Sequence, residues 1–179
     1  MIVKKAPEKY ELNKLSIFLA GSIEMGKAED WQTKVTKKFE PYDVLILNPR
    51  RNDWNSSWKQ SINDPQFNEQ VTWELEAQED CDIIVMHFCP ETKSPITLLE
   101  LGLFAKTGKI RVSCHEDFWR RGNVEMVCDR CIILFLLMLS EYNEIKKPNQ
   151  QLKELKQELK NFKKGKNEDN RFTQSISNS

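Results

Sequence analysis

The apolar residues of this chain come in two kinds of block. Short unbroken runs, LSIFLAGS at 15–22, DVLILNP at 43–49, CDIIVMHF at 81–88 and KIRVSCH at 109–115, read as strands buried on both faces. Between them the apolar positions spread to helical spacing. Trp31, Val35 and Phe39 recur every four residues, and so do Phe67, Val71 and Leu75. Asp64-Pro65 supplies a cap and a first-turn proline for the second of these helices. Ser94-Pro95 starts a third by the same logic, and Gly108 can end it. Strand and helix therefore alternate, with segments long enough for crossovers, which predicts an α/β fold: a mostly parallel sheet with helices on both faces.

Three stretches break the alternation. RRNDWNSSWKQSIND at 50–64 is polar, carries two tryptophans and is too long for a simple connection, which makes it a candidate functional loop. CIILFLLML at 131–139 is an apolar run too short to span a bilayer, and reads as a buried strand or helix segment. Past Asn143 the chain turns charged: Leu152, Leu155, Leu159 and Phe162 form one stripe of an amphipathic helix, followed by a polar end with the composition of a disordered segment. The organisation expected is an N-terminal extension over 1–14, an α/β domain over 15–142 and a charged tail over 143–179.

Charge and cysteine content narrow the chemistry. Lys+Arg and Asp+Glu both number 27, so no net field recruits DNA or RNA, and a small molecule is the more natural partner. No segment approaches the ~20 apolar residues of a membrane span, and MIVKKAPEKYELNK lacks the apolar core of a secretory signal. The reading is a soluble, cytoplasmic protein. Five irregularly spaced cysteines favour reduced thiols over a disulfide framework, and Cys128/Cys131 have no second ligand pair for zinc.

One residue stands out against its surroundings. Glu100 sits in SPITLLELGLF, flanked by leucines, where a carboxylate needs a partner, a route to water or a chemical role. In an open parallel sheet, ligands bind at the carboxyl ends of the strands. Gly21-Ser22, the loop around Asp53-Trp54, the segment 90–94 and the loop 120–123 all fall at that edge, and Glu100 lies less than two turns into the helix that begins there. Glu74, at the edge of the Val71/Leu75 face, is a second candidate. Two carboxyl groups in one cleft can divide the work of nucleophile and general acid, as cleavage of a glycosidic or N-glycosidic bond requires. The bland reading of each residue is a surface or ion-paired helical glutamate, a strand-ending turn, a packing tryptophan or a solvated arginine pair at Arg50-Arg51.

IFLAGSI, NPRRNDW, WELEAQEDCDIIVMHF, SPITLLELG and GNV, in this order, resemble the nucleoside 2-deoxyribosyltransferase superfamily over about residues 15–130. The resemblance implies a flavodoxin-like sheet and a double displacement. Glu100, in the E-L-G context, would attack the anomeric carbon, and Glu74 would protonate the departing base. Gly21, Ser22, Asp53, Trp54 and Ser94 would line the substrate site. Asn123, in GNV, would approach the sugar from a neighbouring subunit, which implies a homo-oligomer with shared active sites. Partners would be a nucleoside or nucleotide and a free base, with no metal and no organic cofactor. Where transferases of this superfamily carry an aspartate, six residues before the nucleophile, this chain has Ser94. That serine, with Gly21-Ser22, is similar to the branch that hydrolyses nucleoside 5'-monophosphates, whereas Glu24 puts a like charge where a phosphate binder prefers a base.

Overall fold

A computed structural model gives the protein's fold over residues 1–24, 28–51, 55 and 57–136. Asp53, Trp54 and the charged tail with its Leu152/Leu155/Leu159/Phe162 stripe lie outside the described residues. The strands are β1 (Ile2–Lys5), β2 (Leu15–Gly21), β3 (Val44–Asn48), β4 (Ile83–Phe88), β5 (Ile110–Cys114) and β6 (Leu134–Leu136). The helices are α1 (Trp31–Phe39), α2 (Pro65–Asp80), α3 (Pro95–Phe104) and α4 (Arg121–Cys131). All six strands are parallel, in the order β1-β3-β2-β4-β5-β6. Apart from the edge strand β1, this is the 2-1-3-4-5 order of flavodoxin-like sheets, whose crevice opens where the connections from the central strands part. Here that point lies between the ends of β2 and β4.

The two faces of the sheet are sorted by strand parity. Phe18 and Ala20, Leu45 and Leu47, Ile84, Met86 and Phe88, and Ile110, Val112 and Cys114 point to one side. They pack against Trp73 and Ala77 of α2, Leu101 and Phe104 of α3, and Val124 and Cys128 of α4. The alternate residues face α1: the Trp31 indole lies 5.2 Å from the His87 ring, and Leu19 and Ile46 are fully buried. Complete burial of each such side chain stabilises by about 1.5–3 kcal/mol, which is why these strands read as continuous apolar runs. The five cysteines are free thiols, four of them buried. No helix among the described residues is long and apolar enough to cross a membrane.

Three details add to or depart from the sequence reading. Residues 2–5, assigned to an extension, are the edge strand β1, paired in register with β3 from Ile2–Leu45 to Lys5–Asn48. The linker that follows is pinned over α2 by the Trp73 indole donating to the Glu8 carbonyl (2.9 Å) and by Tyr10 donating to Asp80 (3.2 Å). Next, the Phe67/Val71/Leu75 stripe of α2 is a cavity wall, while the core face of the helix is Trp73 and Ala77 together with two buried glutamines, Gln70 and Gln78. Finally, Ser94 starts α3 without capping it: its backbone is left-handed (φ 45°) and its hydroxyl bonds elsewhere. By contrast Asp64 caps α2 as expected, accepting from the Phe67 amide at 3.0 Å, and Gly108 adopts φ 73° beyond the short 3-10 turn that follows α3.

Candidate active site

A cavity of about 620 Å³ opens over the carboxyl end of β2, between α2 and α3, within the size range of small-molecule sites. Its floor is the ends of β2 and β3 with Phe18, Ala20, Gly21 and Pro49; its walls are α2 and α3. Glu74 and Glu100 both line it, one from each helix. The orientation of α3 explains the odd sequence context of Glu100. Leu101 and Phe104 enter the core, Ile96, Leu99 and Leu103 stay 58–70 % exposed along the cavity, and the glutamate turns inward toward α2. An apolar helix therefore holds its one acid against the neighbouring helix and presents leucine to the opening.

Two glutamines of α2 hold the acids. The Gln78 Nε2 donates to Glu100 Oε1 at 2.7 Å and to the Glu74 carbonyl at 3.3 Å. The Gln70 Nε2 donates to Glu74 Oε1 at 2.7 Å and to the Pro49 carbonyl at 2.9 Å. Each carboxyl thus has a neutral amide donor. Burial pushes the Glu100 carboxyl up to about 8, with the charge of Glu74 raising it further and the Gln78 hydrogen bond lowering it. Burial likewise pushes Glu74 up to about 7, against the bond from Gln70. The charge of Glu74 disfavours a second charge on Glu100, so near neutral pH the pair favours one negative charge over two. Glu100 is raised the further of the two and so keeps the resting proton, and attack by Glu100 as an anion with protonation of the leaving group by Glu74 requires that proton to move first. The Gln78 side-chain oxygen, buried at the edge of this pair, has no hydrogen-bond partner among the described residues.

The β2 turn is built differently. Gly21 adopts φ 145°, and a Cβ there would stand 2.3 Å from the His87 carbonyl oxygen, so the close approach of β2 to β4 requires glycine. This places Ser22 under the loop that leads into α3. Its Oγ lies 2.6 Å from the Ser94 Oγ and 2.9 Å from the Thr92 Oγ1, and accepts from the Cys89 amide at 3.0 Å. Thr92 closes the triangle with Ser94 at 3.0 Å and donates to the Cys89 carbonyl. All three hydroxyl residues are at least 93 % buried, and their bonding is mutual. Ser94 still contributes to the cavity wall, whereas Ser22 stands behind it.

The remaining residues singled out from the sequence divide as follows. Arg50 and Arg51 border the cavity, but their guanidinium groups are engaged by the protein. Arg50 bonds Gln32 and the carbonyls of Ala28 and Glu29. Arg51 pairs with Glu69 at 3.5 Å, bonds Gln70 and lies over the Trp58 ring. Asn123 is exposed in the first turn of α4 and is not among the walls of this chain's cavity. Gln70 and Gln78 were missed, since a helical glutamine usually reads as solvated. Their signal was spacing: Gln70, Glu74 and Gln78 follow each other at four-residue steps, a polar stripe on an otherwise apolar-walled helix.

Residues 14–118, more than half of the chain, match the family described as "Nucleoside 2-deoxyribosyltransferase like". The match runs from the start of β2 to the loop beyond β5 and includes the carboxyl pair, Gly21, Ser22 and Ser94; β1, α4 with Asn123, and β6 lie outside it. Against curated proteins the sequence finds no match.

Proposed function

Since the chain belongs to the nucleoside 2-deoxyribosyltransferase-like family, we propose that it cleaves the N-glycosidic bond of 2'-deoxynucleosides and transfers the deoxyribosyl group to another base. The observation that carries this reading is the coupled Glu74/Glu100 pair on the wall of one cavity, each acid held by its own glutamine. In the proposed reaction a Glu100 carboxylate oxygen bonds to the anomeric carbon as the bond to the base nitrogen breaks. The electron pair leaves with the base, which takes the proton from Glu74, the acid in the less populated, reactive protonation state of the pair. A nitrogen of the incoming base then displaces Glu100 from the anomeric carbon and gives its proton back to Glu74. Two displacements return the original configuration at that carbon.

The apolar wall of Phe67, Val71 and Leu75 opposite Ile96, Leu99 and Leu103 suits the flat faces of a base. Asp53, Trp54 and Ser94 belong to the proposed substrate surroundings. The sugar-facing role of Asn123 is proposed to be played across a subunit boundary, in a homo-oligomer, because within one chain this residue stands away from the cavity walls. Chromatography of a mixture of the protein, one 2'-deoxynucleoside and a different free base tests the reading. A new deoxynucleoside is expected; released base without exchange contradicts transfer, and an unchanged mixture contradicts the reaction altogether.

A further inference from the structure

Glu24 lines the cavity at the start of α3 and takes up the backbone amide donors there. Its Oε1 accepts from the backbone amides of both Lys93 and Ser94, at 2.7 Å each, at the start of α3. Glu24 and Ser94 also line the cavity that holds Glu100. Two converging amides at a helix start form an anion cradle, and here the protein fills it with its own carboxylate. Among the described residues, the groups around it leave no substitute for the cradle. The hydroxyls of Ser22, Thr92 and Ser94 bond one another, both arginines at the rim are engaged by the protein, and Lys93 is not among the cavity walls. Three carboxyl groups, Glu24, Glu74 and Glu100, therefore face the same space.

We infer that Glu24 is a specificity-determining residue that restricts this cavity to sugars with an unphosphorylated 5' end. The inference rests on the nucleoside reading of the site and deepens it: the substrate class is nucleosides, and their 5'-monophosphates are rejected. A phosphate entering near Ser94 would meet a like charge and find its amide donors taken, whereas a 5'-hydroxyl can donate a hydrogen bond to the same carboxylate.

The test compares a 2'-deoxynucleoside with its 5'-monophosphate in the full-length protein, in Glu24→Gln and in Glu24→Asp. The wild-type protein is expected to favour the nucleoside by about 100-fold or more in kcat/KM, Glu24→Asp to keep most of that preference, and Glu24→Gln to lose at least about tenfold of it. A general loss of stability would depress both substrates together and leave their ratio unchanged. The same two ligands are titrated against Glu100→Ala by calorimetry, with and without Glu24→Gln, so that selectivity is read even without turnover. Absence of turnover with both substrates, accompanied by preferential nucleoside binding that Glu24→Gln erodes, sinks the reaction and keeps the inference. Equal handling of both ligands by the wild-type cavity, or a ratio indifferent to Glu24→Gln, overturns it.

Discussion

Two polar clusters lie at the edge of the same cavity and are built on opposite principles. The Ser22/Thr92/Ser94 triangle is neutral, deeply buried and closed on itself, with the Cys89 amide and carbonyl completing its bonds. The Glu74/Glu100 pair is titratable, opens onto the cavity and is held by one amide donor per acid, with each carboxyl raised well above its ordinary range. A satisfied buried cluster fixes geometry and gains nothing from a ligand. An electrostatically costly pair gains from a reaction that moves its proton and shares its charge with a developing cation. The contrast separates the residues expected to shape the site from those expected to do its chemistry.

Replacing Glu100 with Ala breaks this contrast most severely. Turnover of a deoxynucleoside is expected to fall by at least about 10³-fold, since no other carboxylate stands where Glu100 does; steady-state kinetics on the folded variant checks it. Next, Glu74→Gln removes the acid and keeps the shape. A loss of about 10²- to 10⁴-fold is expected, smaller for substrates whose base leaves without protonation, and kinetics with a series of leaving bases measures the difference. The triangle should respond in stability instead: Ser22→Ala leaves the Cys89 amide and two hydroxyls short of a partner, at a cost of about 1–3 kcal/mol in the denaturant unfolding curve.

The smallest expected effect is one of pH. Both carboxyls have folded-state pKa values above the ordinary 4.5, near 7 and near 8. Between 4.5 and those values the folded protein keeps protons that the unfolded chain releases, so their contribution to stability falls as pH rises and levels off above about 8. Glu100→Gln removes the Glu100 share of that slope and leaves the Glu74 share. It should raise the melting temperature by a few degrees at about pH 9 and by less at about pH 4, in parallel thermal scans.

The central strands were legible in the sequence because a parallel sheet covered on both faces must be apolar at every position. That signal fails for β1, whose four residues IVKK sit at the sheet edge with Ile2 40 % exposed. It fails too for α4, which buries only Val124 and Cys128 and so shows too few apolar positions to announce a helix. Glu100 was conspicuous as an acid among leucines, yet the reason it is tolerated was not: Gln78, twenty-two residues earlier, meets it only once α2 and α3 pack together. The same limit applies to the Phe67/Val71/Leu75 face, which reads in the sequence as one side of a helix with no partner assigned to it. Helical periodicity reports that a face is shielded from water, and a ligand cavity and a core produce the same pattern.

The central claim is that Glu100 becomes covalently bonded to the sugar. Its most direct test is to mix the protein with a 2'-deoxynucleoside in the absence of an acceptor base, quench with acid and map the peptides by mass spectrometry. The account predicts a deoxyribosyl group on the peptide containing Glu100, absent from Glu100→Ala and discharged when a free base is added before the quench. Turnover that proceeds with an unmodified Glu100 peptide, and that survives Glu100→Ala, would contradict it.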